Sequence, residues 1–190
     1  MRKVTVVCIF LLSFCAGRAQ GLKPNEFRMS YFGETITHPG VRVKLDYHLK
    51  EWDKVNRRDK TIHKKISVGP GLAFFYHKRY QTGVLTNFEI KLSRSKSKSF
   101  FFSYGLGVGY LATFATNTYE VDETGEVKKT IGDNHYFAPN LFCEFGGTIL
   151  SRDTHDIGYL ISPNISIAMP NFPSAVGYAF LELGLTYRIR

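Results

Sequence analysis

Cysteine is scarce and badly placed for cross-linking. Three occur in 190 residues, and Cys8 and Cys15 lie in an apolar N-terminal segment that reads as a leader. Its removal would leave Cys143 alone, which excludes an intramolecular disulfide and leaves packing and backbone pairing to hold the fold. Long apolar runs are lacking as well. The longest, residues 4–14, falls short of the roughly 20 residues a membrane-spanning helix needs. Catalytic and cofactor signatures are missing too: there is no zinc-ligand spacing, phosphate-binding glycine loop or nucleotide motif. Gly105-x-Gly107-x-Gly109 repeats with period two, which suits strand packing rather than phosphate. No cofactor and no metal are therefore expected, and no catalytic residue is assigned.

What the sequence has is alternation. Across residues 41–50, Val41, Val43, Leu45, Tyr47 and Leu49 interleave with Arg42, Lys44, Asp46, His48 and Lys50. Only a strand separates these into an apolar and a polar face. Comparable segments recur at 27–33, 66–76, 84–92, 100–114, 137–148, 157–169 and 178–189, eight in all. In 27–33, Phe27, Met29 and Tyr31 oppose Arg28, Ser30 and Phe32. Pro70 cannot donate a ladder hydrogen bond, so a bulge is expected there. Residues 117–134 form the longest polar interruption, with Asp122-Glu123-Thr124-Gly125-Glu126 as the expected tip of a projecting hairpin.

Residues 1–19 have the form of a signal peptide, with Arg2 and Lys3 before the apolar run and small residues around Ala19. Residues 20–190 would form one domain. Cleavage removes Arg2, Lys3 and Arg18 and lowers the formal charge from +9 to +6. The excess lies mostly at 54–65 and 94–98. In an exported chain, positive charge in turns points to lipid headgroups or solubility and away from nucleic acid.

An even number of strands of about 10 residues, joined as neighbours, is the pattern of a closed transmembrane barrel, in which every backbone polar group finds a partner. A soluble lipocalin-like barrel, with its apolar face inward, is the rival. The polar faces, rich in Gly, Ser, Thr and Asn, suit a confined interior better than a solvated surface. Alternation then directs Arg42, Lys44, Asp46, His48, Asn87, Glu89, Lys91, Asn140, Glu144, Glu182 and Arg188 into the lumen as a polar network. Tyr47, Trp52, Tyr76, Tyr110, Tyr159 and Tyr187 are candidates for interfacial girdles.

On this strand pattern, the leader ending Ala19-Gln20 and the final strand, the mature chain resembles the small eight-stranded outer-membrane β-barrel proteins of Gram-negative bacteria, of the Bacteroidota type. The chain ends Tyr187-Arg188-Ile189-Arg190, with an aromatic near the terminus rather than at it. The resemblance implies an all-β, antiparallel, up-and-down transmembrane barrel in the outer membrane, in contact with outer-membrane lipid or lipopolysaccharide and inserted by the barrel-assembly machinery. It also implies both termini in the periplasm. Segments 33–40, 77–82, 116–135 and 169–177 would then be extracellular, with His38, Asp122, Glu123, Glu126, Asp133 and His135 as candidate loop groups. Segments 51–61 and 94–98 would face the periplasm.

Two functional classes stand at this point: a non-enzymatic barrel with a structural or surface-binding role, and a lipid A-modifying enzyme of deacylase or acyltransferase type. The deacylase pattern, His and Ser two apart on a strand face, is absent at all six histidines. An acyltransferase would have to assemble loop groups such as His38, Asp133 and His135.

Overall fold

In the computed structural model, residues 23–33, 39–55, 61–77, 81–97, 100–121, 125–169 and 175–189 are described. The leader, His38, Asp122 and Glu123 lie outside them. The described chain is all-β: β1 (Glu26–Gly33), β2 (Gly40–Val55), β3 (Thr61–Tyr76), β4 (Gln81–Ser97), β5 (Phe100–Val121), β6 (Val127–Phe137), β7 (Asn140–Ser151), β8 (His155–Ala168) and β9 (Val176–Ile189). All pairings are antiparallel, in the order β4-β3-β2-β1-β9-β8-β7-β5-β6, and pairing of β4 with β5 closes the ring.

Nine strands make eight staves because β6 and β7 form one. Tyr110 pairs with Phe137 and Gly107 with Asn140, so a single register along β5 runs through both. Between them the Ala138 amide still donates to the Gly109 carbonyl at 2.8 Å. Pro139 has no N–H to give, but its carbonyl accepts from the Ile167 amide at 3.0 Å. A proline thus interrupts the ladder without breaking the stave. The fold is a closed, eight-stranded, up-and-down barrel.

The staves are longer than the alternation alone marks out. β2 continues through Val55 and β3 starts at Thr61, so the described residues of 51–61 are strand rather than loop. β4 likewise runs to Ser97 through the expected turn at 94–98. The bulge also moves. β3 keeps unbroken register with β4 across Pro70, whereas the β2–β3 register shifts between His48 and Lys50. Next to Pro70, Gly69 lets β2 approach closely: a Cβ on it would collide with the Leu45 carbonyl. The bulge at Leu49 reverses the parity of β2, so Glu51 and Asp53 join the even-numbered residues before it in lining the interior.

The faces divide as follows. Met29, Val41, Leu72, Phe88, Leu106, Leu141, Ile165 and Leu185, one from each stave, are 47 to 65% exposed. Arg28, Arg42, Lys44, Glu89, Glu144 and Glu182 are buried. This is the reverse of a lipocalin-like barrel, with the charges inside and the apolar side chains outside. An apolar plug closes the lumen at the end where β1, β3, β5 and β8 finish. There Phe32 stacks on Phe180 at 4.3 Å between ring centres and Phe75 tilts against Phe180 at 5.6 Å. Leu85, Leu111, Ala73, Ala138 and Ala168 complete the plug. The aromatic members carry it, because each fills far more of the narrow lumen than the alanines do.

Candidate functional site in the barrel lumen

Below the plug the lumen is filled with charge. Arg28 on β1 reaches Glu144 on β7 at 2.5 Å and Asp46 on β2 at 2.7 Å. Arg42 donates to Glu89 at 2.7 Å and to Glu182, and its guanidinium lies 5.0 Å from the Phe32 ring centre, joining network to plug. Lys91 holds Asp46 at 2.8 Å. Lys44 binds Glu89 at 2.8 Å and comes within 3.9 Å of Glu144, on the stave diametrically opposite its own. The charges therefore bridge the whole bore.

Ion pairing makes such burial tolerable, since an ionised group removed from water is costly unless paired. It does so although Arg42 Nε, Asn87 Oδ1, Asn140 Oδ1 and Glu144 Oε2 accept or donate no hydrogen bond among the described residues. Glu89 is the clearest case. One of its oxygens accepts from Arg42, from Asn87 at 2.5 Å and from Asn140 at 2.8 Å, while the other takes Lys44. Glycine supplies the space. A Cβ on Gly107 would lie 2.7 Å from Glu89 Cγ and collide with Asn140 Oδ1, so this glycine of β5 makes room for the network.

The other end is open. A vestibule of about 500 Å3 lies where β1 begins and β9 ends, with Glu26, Arg28, Phe101 and Arg188 at its floor and Glu51, Asp53, His63 and Lys65 on its walls. Arg188 donates to Glu26 at 3.0 Å and sits 4.6 Å over the Phe101 ring centre. Lys65 lies 2.9 Å from His48 Nε2 and 3.9 Å from Glu26. His48 also faces Glu51 at 3.2 Å, and His63 Nδ1 meets Asp53 at 2.6 Å.

Of the lumen residues picked out by parity, the structure brings Arg42, Lys44, Asp46, Asn87, Glu89, Lys91, Asn140, Glu144 and Glu182 into one network. It places His48 and Arg188 in the vestibule. Parity missed Glu26 and Lys65, and Arg28 was left out although it shares a face with Ser30. Glu26 stands in the polar lead before the first alternating segment, where period gives no signal. Lys65 lies in a stretch that reads as loop.

Of the loop candidates, the described ones are Glu126, Asp133 and His135. Glu126 is exposed on the β5–β6 hairpin beside Gly125, whose φ of 83° suits a tight tip. Asp133 and His135 lie lower on β6, on the outer face of the barrel. His135 Nδ1 is 2.7 Å from the Tyr110 hydroxyl and its Nε2 is 3.4 Å from Asp133. That arrangement can pass a proton between phenol and carboxylate. Among the described residues, no group of three or more His, Cys, Asp or Glu side chains is placed to hold a metal ion. No protein-family model and no curated protein matches the chain.

Proposed function

We propose that this chain is an outer-membrane protein of the small eight-stranded barrel type, exported by its N-terminal segment. It would be inserted by the barrel-assembly machinery, with a structural or surface-binding role rather than a catalytic one. The observation that carries the reading is the apolar outer belt to which every stave contributes. Soluble monomers rarely expose continuous apolar surface beyond a few hundred Å2, and lipid is the solvent that suits a belt of this extent. The belt is edged by aromatic and basic side chains, as at an interface with headgroups: Arg94 lies 5.6 Å from the Tyr104 ring centre and donates to its hydroxyl at 3.3 Å. The plugged and bridged lumen argues against an open pore, which needs about 16 strands. With both termini periplasmic, the β5–β6 hairpin becomes the surface feature available for binding.

Fractionation of cells expressing the full chain tests this. The protein should be recovered only in the outer-membrane fraction, with different gel migration before and after heating in detergent. Maleimide labelling of Glu123→Cys, in a Cys143→Ser background, should occur on intact cells. A soluble species that needs no detergent would refute the membrane reading, and labelling only after lysis would reverse the orientation.

One observation favours a second reading. The Tyr110, His135 and Asp133 cluster lies on the outer face towards the loop end, where a lipid A-modifying enzyme would meet its substrate. Mass spectrometry of lipid A with and without the gene decides: an altered acyl pattern that His135→Ala abolishes would establish the enzyme.

A further inference from the structure

We propose that the outer face of β2, β3 and β4, at the end where β1 begins, is a docking surface for the headgroups of anionic phospholipids, an inference that rests on the membrane reading above. Register assembles the surface. The bulge at Leu49 turns Glu51 and Asp53 inward, so Lys50, Trp52 and Lys54, which alternate with them, face outward. Trp52 pairs with Lys64, Lys64 with Arg94 and Arg94 with Phe102, so one row across four staves reads aromatic, basic, basic, aromatic. Lys64 also borders the vestibule, whereas Arg94 is held on the outside by its contact with Tyr104.

The height of these cations fits a headgroup layer. On each of the three staves the cation stands just beyond the last apolar residue of the belt: Lys50 beyond Tyr47, Lys64 beyond Ile66 and Arg94 beyond Leu92. Along β4, the outward positions from Val84 to Leu92 span about 27 Å of strand, or about 20 Å of height at a tilt near 40°. The apolar band of a membrane barrel is roughly 25 Å tall, so Arg94 is set at its edge.

The charge on this face has one sign and lies on one side. Among the described residues at this end, Glu26, Glu51, Asp53 and Asp156 line the vestibule on the inner side of the sheet, and Asp153 lies in the turn between β7 and β8, across the barrel. Glu51 and Asp53 are moreover engaged by His48 and His63. Elsewhere around the ring, β1, β5, β7, β8 and β9 carry no Lys or Arg on their outer face. Exposed Phe27, Phe145, Tyr159 and Tyr187 stand there instead. Aromatic side chains suffice for anchoring at an interface, so the basic quadrant adds a preference for negative headgroups. Its continuity with the apolar belt, through Trp52 and Phe102, suits an amphiphile whose phosphate and acyl chain meet both at once, rather than an acidic soluble protein.

Trp52 is the one tryptophan of the chain, so its emission reports on this surface alone. The full-length protein is folded in phosphatidylcholine bilayers that contain matched amounts of dibrominated phosphatidylglycerol or dibrominated phosphatidylcholine, and quenching of Trp52 by bromine is compared. Quenching by both lipids is the outcome the membrane reading requires, and the ratio between them tests the docking surface. Phosphatidylglycerol should be enriched around Trp52 about threefold or more at low salt, and less at high salt. Lys50→Gln combined with Arg94→Gln should bring the ratio to about one, while Arg152→Gln, the same charge change in the β7–β8 turn, should leave it unchanged. Equal quenching by the two lipids would overturn the inference, leave the membrane reading standing and assign the face to water or a soluble partner. Enrichment that persists in a Lys50→Gln, Arg94→Gln variant migrating as a folded barrel would overturn it too. Absence of quenching by either lipid would overturn both readings.

Discussion

Replacing Arg42 with Met tests whether the lumen network is a stabilising unit or a row of independent pairs. The Arg42 side chain is fully buried and ties two carboxylates together, with Glu89 at 2.7 Å and Glu182 closer still. Met has similar length and no charge, so the change is chiefly electrostatic. Glu89 would keep Lys44 and two asparagine amides, but Glu182 would retain only Lys44 at 3.4 Å with Ser30 and Asn164 at 3.3 and 3.4 Å. Removing one partner of a buried pair costs about 3 to 5 kcal/mol, a large share of the roughly 5 to 15 kcal/mol that holds a domain folded. Adding Glu182→Gln removes the stranded charge, so the double variant should be less destabilised than the sum of the singles by about 1 to 3 kcal/mol. Urea titration in lipid vesicles, read as the fraction migrating as folded barrel, measures all three. The reasoning fails if Arg42→Met changes stability by less than about 1 kcal/mol. It also fails if the two substitutions add within about 0.5 kcal/mol.

The same titration tests both faces of the barrel. Leu45→Arg on the outer face should cost about 2 to 4 kcal/mol and impair insertion, because it puts a charge in hydrocarbon. Lys44→Leu, one residue away on the inner face, should destabilise the network yet still insert; harmless Leu45→Arg with aggregating Lys44→Leu would mean that water, not lipid, surrounds the belt. Gly107→Val should cost about 1 to 3 kcal/mol by overpacking against Glu89 and Asn140, and wild-type stability there would show that the network does not need the glycine's space.

Why the fold was legible and the vestibule was not comes down to register. Alternation assigns a face to each residue only as long as a strand keeps its phase, and β1, the first half of β2 and β9 keep theirs. Arg42, Lys44, Asp46 and Glu182 were therefore readable as inward from composition alone. The bulge at Leu49 reverses the phase within one residue, so Glu51 and Asp53 face the vestibule in a segment whose composition resembles a loop. The Tyr110 and His135 contact is hidden for a different reason: it needs the β5–β6 register, in which His135 is paired with Ala112 and stands diagonal to Tyr110. Pro139 has the opposite effect, since it looks like a strand end and is not, because the carbonyls and amides around it still find partners.

The aromatic plug shows how far an inner face can depart from polar composition without losing the barrel. Phe32, Phe75 and Phe180 occupy inward positions on β1, β3 and β9, in sequence among Ser, Gly, Ala and Glu, and nothing in any one strand marks them as neighbours. Their meeting follows from closure of the ring, which sets β1 between β2 and β9 and brings the ends of three staves to one level. The charges lie below that level because a buried ion needs several partners converging from different staves, and mid-barrel is where four or more can reach one another. Towards the terminal end the bore is no longer bridged, and Lys65 and Arg188 share the Glu26 carboxylate beside open volume that Glu51, Asp53 and Asp156 also line. The vestibule is thus a consequence of where the network stops.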